Sequence, residues 1–242
     1  PLAILAQDAG GGIVIEGNEI RELVPSGKKP SVPCTVFDAS SHVILPGLVN
    51  THHHFYQTLT RALAPALGKE LFDWLKALYP VWSGLDPEGL AVATELALTE
   101  LMLSGCTTSS DHHYLYPAGL EDAVDIQVAV AAQVGMRVTL TRGSMDLSQK
   151  DGGLPPDSVV QQTDAILIDS ERVVNRYHQS GSGAMIQIAL APCSPFSATQ
   201  DLMRETAALA SRLNVRLHTH LGETQDENDY CEATLGMRPL DY

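Results

Sequence analysis

Two histidine pairs, His52/His54 and His218/His220, each with one residue between its members, stand far apart in this chain. The first follows a short apolar run, Val43-Ile44-Leu45 and Leu48-Val49, and the second sits in a run that starts at Val215. Side chains on a strand alternate between faces. His52 and His54 are therefore expected to point one way and His53 the other. Two imidazoles so placed can hold one metal ion from a rigid edge, and imidazole suits zinc and iron alike. The plain alternative is a polar strand end whose rings are simply solvated. His220, with Glu223 three residues on, would bring a third imidazole and a carboxylate to another strand mouth. Three such nitrogens around zinc leave a place for water, whose pKa the ion lowers to about 7. A nearby glutamate can then move a proton to a substrate as general acid and base. Glu223 also reads as an acidic charge at a helix N-terminus, a common place for one. Asp111-His112-His113-Tyr114, Arg142 and Ser194 end other apolar runs. For His112 and His113, structural packing and substrate contact stand level. Taken together, the strand ends read as metal-assisted hydrolysis.

These residues need a frame of alternating strands and helices, and from Val43 onward the sequence supplies one. Asp86-Pro87-Glu88 opens a helix that runs to about Ser104 before Gly105. Strands are expected at 106–110, 137–141, 185–191 and 215–221, and helices at 120–134, 157–178 (mainly) and 199–213. Repeated βα units imply a parallel sheet with right-handed crossovers. The expected fold is α/β, a (β/α)8 barrel with about five strands present, and in such barrels the C-terminal strand ends carry the active site. Residues 1–45 read as a separate small β-rich module: a hairpin of 13–15 and 20–24 about Glu16-Gly17-Asn18-Glu19, a Gly/Pro/Lys loop at 25–33, and further strands at Val36 and 43–45. Residues 46–242 would then be the metal-dependent barrel portion. The chain opens in a strand-like run without methionine and stops at Asp241-Tyr242 with no apolar closing element, as an excerpt of a longer protein would.

Composition excludes several classes. A net charge of −14 argues against a nucleic-acid partner, which needs basic patches. No apolar run reaches membrane-spanning length, and no charged leader precedes one. Cys34, Cys106, Cys193 and Cys231 show no CxxC spacing, as expected of free thiols in a reducing cytoplasm. Gly10-Gly11-Gly12 lacks the strand–GxxxxGK[ST]–helix context of a phosphate cradle.

The stretches PGLVNTHHHFYQ at 46–57, LSGCTTSSDHH at 103–113, LTRGS at 140–144 and LHTHLGET at 217–224 resemble the amidohydrolase superfamily, in its branch of cytosine, guanine and triazine deaminases. The resemblance spans essentially the whole chain. It implies His52, His54 and His220 as metal ligands and Glu223 as the carrier of a proton to a ring nitrogen. Gln57 matches a substrate-contacting glutamine, and Arg142 sits where relatives place an arginine that reads a substrate oxygen or carboxylate. Tyr114 and Trp82 are further candidates for the pocket wall. Binuclear relatives bridge two metals with a carbamylated lysine on strand four, yet no lysine follows Lys150 here. One Zn2+ per subunit is therefore implied, with iron the alternative. The implied reaction is hydrolytic deamination of a small purine, 8-oxoguanine, to urate. A triazine of the hydroxyatrazine type, or S-adenosylhomocysteine and adenosine derivatives, are alternative substrates, and an inactive metal-binding module is the alternative of another class. A homo-oligomer is the usual expectation for a soluble enzyme. The family's histidine from strand six and aspartate from strand eight would lie beyond Tyr242, so residues 1–242 alone are not expected to turn over.

Overall fold

The computed structural model describes residues 9–242 and the backbone of Ala3–Ile4. Chain contacts divide into two compact units, Pro1–Leu48 with Gly181–Gly183, and Val49–Ser180 with Ala184–Tyr242.

In the first unit, β1 (Ala3–Ile4) pairs in parallel with β4 (Val43–Ile44), and β2 (Gly12–Glu16) pairs antiparallel with β3 (Glu19–Val24). The hairpin turns at Gly17-Asn18, where Gly17 takes a left-handed φ of 61° that a Cβ would disfavour. Val14 and Val24 are its buried residues. Two expectations need correction: Val36 lies in irregular chain, and Leu45 falls outside β4. Val36 is 80% exposed, so no packing favours a strand there. The rest of the expected opening strand lies outside the described residues.

The second unit is built on a sheet in the order β5 (Leu48–Asn50), β6 (Cys106–Asp111), β7 (Arg137–Ser144) and β8 (Ile186–Pro192). β6–β7 and β7–β8 are parallel, in registers that set Asp111 beside Leu140 and Arg142 beside Leu190. Helices α2 (Pro87–Leu103), α3 (Ala123–Val134) and α4 (Thr163–Tyr177) link successive strands, and α5 (Gln200–Leu213) follows β8. Strand order equal to chain order with intervening helices is the start of a (β/α)8 barrel. Local signals set the helix ends. Asp86 caps α2 by accepting from Gly89 N, and Thr199 caps α5 by accepting from Leu202 N. Gly135 closes α3 with φ 79°. Leu98, Val124, Val138, Leu140, Val173, Ile188 and Leu209 form the layer between sheet and helices.

Residues 215–221 depart from expectation. They carry one bridge to β8, Leu190 with Leu217, held by Leu190 N to Arg216 O and His218 N to Leu190 O, both 3.0 Å. The next ladder donor along β8 would be residue 192, a proline without an N–H, and His220 N bonds the Cys193 carbonyl at 2.9 Å instead, so the regular pairing stops after one bridge. Expected helix 157–178 is also shorter: a 3₁₀ turn at Asp157–Val159 precedes α4.

Two helices are absent from the expectations above. α1 (Leu71–Trp82) lies between β5 and α2, and α6 (Gln225–Leu235) follows the second histidine pair. α1 buries Leu75, Leu78, Tyr79 and Trp82, an i, i+3, i+4, i+7 stripe. These join Tyr56, Tyr114, Leu115 and Phe196 in a second, aromatic-rich core. That core lies over the C-terminal strand ends and supplies a wall to the site.

Candidate metal centre

Strand alternation decides which side chains meet. Beyond β5, His52 and His54 share a side, with ring centroids 4.9 Å apart, while His53 packs its ring on Phe55 at 5.2 Å. Beyond β6, His112 and Tyr114 turn to the same place, with centroids 5.6 and 5.4 Å from His54. Asp111 and His113 turn the other way. From the far side of the arc comes His220, 5.1 Å from both His52 and His54. One nitrogen from each of His52, His54 and His220 lies within 4.8 Å of the others.

Hydrogen bonds fix how those rings are protonated. His54 Nδ1 lies 2.6 Å from the His112 carbonyl and His220 Nδ1 lies 3.0 Å from the Cys193 carbonyl. A carbonyl only accepts, so each Nδ1 carries the proton and each Nε2 is left with a bare lone pair. Those two Nε2 atoms face each other at 3.2 Å. Two bare nitrogens at that distance repel unless a cation lies between them. A proton is a poor candidate, because burial and the neighbouring His220 hold His54 well below the ordinary imidazole range. Burial likewise pushes His220 down to about 4, against the opposing effect of its Cys193 hydrogen bond. A metal ion fits, since nitrogens of one zinc ligand set each sit about 2.0–2.1 Å from the ion and carbonyl-bound Nδ1–H groups are the usual outer support of such ligands.

A second trio, His112, Cys193 and His220, also approaches within 4.8 Å. There the His112 and His220 rings lie face to face, 4.2 Å apart and 13° from parallel. An ion coordinates in the plane of an imidazole, so two stacked rings do not share one. His112 is fully buried and neither ring nitrogen has a hydrogen-bond partner. Its carbonyl and its flat face both serve the first trio.

A cavity of about 220 Å³ opens beside the three histidines, lined also by Gln57, Trp74, Tyr114, Cys193 and Glu223. A larger one of about 430 Å³ adjoins it, sharing His52, His54, Gln57 and Trp74. Gln57 donates from Nε2 to the hydroxyls of Tyr56 and Tyr114, each at 3.3 Å. Burial holds both phenols well above their ordinary pKa. Glu223 stands at the exposed mouth, its carboxyl raised above the usual range by partial desolvation and by the Glu227 charge.

Arg142 is not brought to this cavity. Val138 and Leu140 face the helix layer, and Arg142, two residues on, keeps that side. Its Nε donates to Asp169 of α4 at 2.6 Å and Nη2 to Gln161 at 2.8 Å, while Nη1 donates to the Gly143 carbonyl. The guanidinium lies over the Tyr116 ring at 3.9 Å and the residue is 1% exposed. The expectation of a substrate-reading arginine assigned it to the wrong face. Trp82 is likewise buried, donating to Thr60 Oγ1 at 3.0 Å, and Trp74, one helical stretch earlier, takes its place on the wall. His113 packs against Tyr56 and Tyr116.

Cys193, Trp74 and Glu227 escape sequence reasoning, which places Asp111 at a strand end without giving it a role. Fully buried Asp111 accepts from Phe55 N and from Gln127 Nε2, both at 2.6 Å. With His112 N donating to the His53 carbonyl at 2.7 Å, it clamps the His53–Phe55 backbone from both sides. The available signal was its place at a strand end directly before His112.

The chain is similar to known proteins in sequence and in fold. Over its whole length the chain is 60% identical to the 8-oxoguanine deaminase of Pseudomonas aeruginosa, covering 55% of that protein. It is 37% identical, over 99% of its length, to hydroxydechloroatrazine ethylaminohydrolase of Pseudomonas sp. strain ADP, covering 50% of it. The chain thus spans about half the length of the curated relatives it matches. Among solved structures, atrazine chlorohydrolase TrzN from Arthrobacter aurescens TC1 complexed with zinc superposes with a TM-score of 0.83 at 27% identity, covering 95% of this chain and 52% of that one. The β/α arc is accordingly part of a (β/α)8 barrel. Residues 43–242 match the Amidohydrolase family, and the chain belongs to that family.

Proposed function

We propose that this chain carries the metal-binding part of a hydrolytic deaminase that converts 8-oxoguanine to urate and ammonia. The observation that carries the reading is the pair of bare Nε2 atoms 3.2 Å apart, with Glu223 on the same cavity. The 60% identity to a protein named 8-oxoguanine deaminase supports the substrate. His52, His54 and His220 would hold one zinc ion, with iron the alternative that metal analysis separates. Such an ion acts as a Lewis acid and lowers the pKa of water toward about 7.

The protein's own groups do the rest. Glu223 takes a proton from the attacking water and delivers it to the ring nitrogen beside the amine-bearing carbon. Water adds at that carbon, the C–N bond breaks, and the amine leaves as ammonia, so 8-oxoguanine and water yield urate and ammonia. Gln57, with its amide nitrogen turned to two tyrosine hydroxyls, presents its carbonyl oxygen as an acceptor for a substrate N–H. Trp74 and Tyr114 offer aromatic walls to a flat base.

The test is ammonia release by the full-length, zinc-loaded protein with 8-oxoguanine, guanine, hydroxyatrazine and S-adenosylhomocysteine in parallel. Preference for 8-oxoguanine is expected. Preference for the triazine or the nucleoside would overturn the substrate, and no release from any of them with metal bound would overturn the reaction.

A further inference from the structure

The first turn of α6 holds a carboxylate that the proposed chemistry leaves unused. Glu227 is fully buried. Its Oε1 accepts from Gly222 N at 3.0 Å and its Oε2 from Glu223 N at 2.6 Å. Among the described residues, no lysine, arginine or histidine forms an ion pair with it. Burying a carboxylate without a cation is costly, and charge-assisted bonds to backbone N–H groups offset part of that cost.

Helix capping is the obvious structural use, and the bonding pattern departs from it. In a capping box the glutamate at the third helical position reaches back to the N–H of the capping residue, whose own hydroxyl bonds the helix. Thr224 is the capping residue here, yet it makes no side-chain cap bond and its Oγ1 is without a partner. Glu227 instead reaches past it to the two preceding N–H groups. Gly222 makes this reachable: its left-handed φ of 66° turns successive N–H groups toward one anion, as in a backbone nest. The carboxylate therefore grips the peptide units of Gly222 and Glu223 rather than the helix end. Those units join His220 to the side chain at the cavity mouth.

We propose that Glu227 is a positioning residue, whose buried carboxylate fixes the Gly222-Glu223 backbone so that the Glu223 side chain faces the cavity beside the three histidines. This rests on the deaminase reading and on Glu223 as proton carrier. Of the residues that line the cavity, Glu227 hydrogen-bonds Glu223 alone, and at its backbone N–H, so it acts through Glu223.

The experiment compares full-length, zinc-loaded wild type with Glu227→Ala, Glu227→Gln and Glu223→Gln, measuring zinc content, thermal midpoint, kcat and KM for 8-oxoguanine. In Glu227→Ala, kcat per bound zinc is expected to fall about 100-fold, with KM within about threefold and zinc content unchanged. Glu227→Gln keeps one acceptor oxygen and is expected to recover about tenfold of that loss. If Glu227→Ala does not fold, the Gln variant decides by the same split. A lower midpoint with wild-type kcat per bound zinc would show a helix cap and nothing more, and would overturn the inference. A normal kcat in Glu223→Gln would instead overturn the proton carrier itself, and the positioning role with it. Silent Glu223→Gln beside normal Glu227 variants would sink the positioning role alone.

Discussion

Replacing Arg142 with methionine separates two roles that its place at a strand end leaves open. The guanidinium spends its donors on Asp169, Gln161 and the Gly143 carbonyl, and it lies over Tyr116. Methionine fills much of the same space and makes none of these bonds. Leaving an uncompensated buried charge costs about 3–5 kcal/mol. Asp169 softens this, because it keeps Arg172, whose Nε donates to its other oxygen at 2.7 Å, and because its side chain is 20% exposed. Gln161 loses a partner as well, which adds about 1 kcal/mol. The net expectation is a loss of about 2–3 kcal/mol, read from the urea midpoint of the full-length protein at fixed zinc. Since no Arg142 atom lines either cavity beside the histidines, KM for the purine should stay within about twofold once the protein is folded. The reasoning would be refuted by unchanged urea stability together with a KM raised about 100-fold, the signature of a guanidinium that reads substrate.

Other outcomes follow from the same geometry. His220→Ala removes one of the two facing Nε2 atoms and should abolish stoichiometric zinc retention after dialysis, measured by elemental analysis. Zinc at about 100-fold over its Kd should stabilise the wild type by about 2.7 kcal/mol and leave that variant's thermal midpoint unmoved. Asp111 gives a pH test. Desolvation pushes its carboxyl from the ordinary 3.8 up to about 7, against bonds from Phe55 N and Gln127 that lower it. The folded state then holds this proton more tightly than the unfolded one. Its contribution is fully present below about pH 4 and is lost as pH rises to about 7, by up to about 4 kcal/mol. Asp111→Asn should flatten that slope in urea titrations from pH 4.5 to 8, because an amide does not titrate there; Asn can still accept from Phe55 N and, once the Gln127 amide turns over, donate to Gln127 Oε1, and an equal slope in both proteins would refute this. Gly143→Ala should destabilise strongly by calorimetry, since a Cβ there would sit 2.0 Å from the His113 carbonyl oxygen.

What the sequence made legible were features carried by local pattern. The helix opening at Asp86-Pro87-Glu88, the helix start near Thr199, the helix end before Gly135, the hairpin at Gly17 and the strand cores at 106–110 and 186–191 each depend on a few adjacent residues. α1 was hidden because Pro80 lies inside it, and proline removes a helical N–H and crowds the carbonyl four residues back. Late in the helix that damage is small, and Ser83 N still reaches the Tyr79 carbonyl at 2.8 Å. Its buried stripe was present all along in Leu75, Leu78, Tyr79 and Trp82. Arg142 was misread for a different reason. A strand's end can be recognised from the residues that follow it, while its facing depends on parity counted from the core, and β7 runs to Ser144, three residues past the expected end. Counting from Leu140 puts Arg142 with the helices. The same count divides the level pair, sending His112 inward and His113 outward.

The ligands themselves were legible as residue types, but their chemistry is set by partners that no motif contains. His54 and His220 are oriented by the carbonyls of His112 and Cys193, contributed by strand ends on either side of β7. A backbone carbonyl is present at every residue, so sequence gives no hint of which one turns toward a ring. Both rings are held neutral by burial, and both aim a lone pair at one point. The repulsion between those lone pairs is therefore built into the fold before any ion arrives, and β6, β8 and the 215–220 segment must hold their places to keep it. A cation that relieves it also ties these segments together. Metal affinity and the stability of the arc are then a single linked quantity. Perturbing the backbone that carries either carbonyl should weaken zinc binding without touching a ligand.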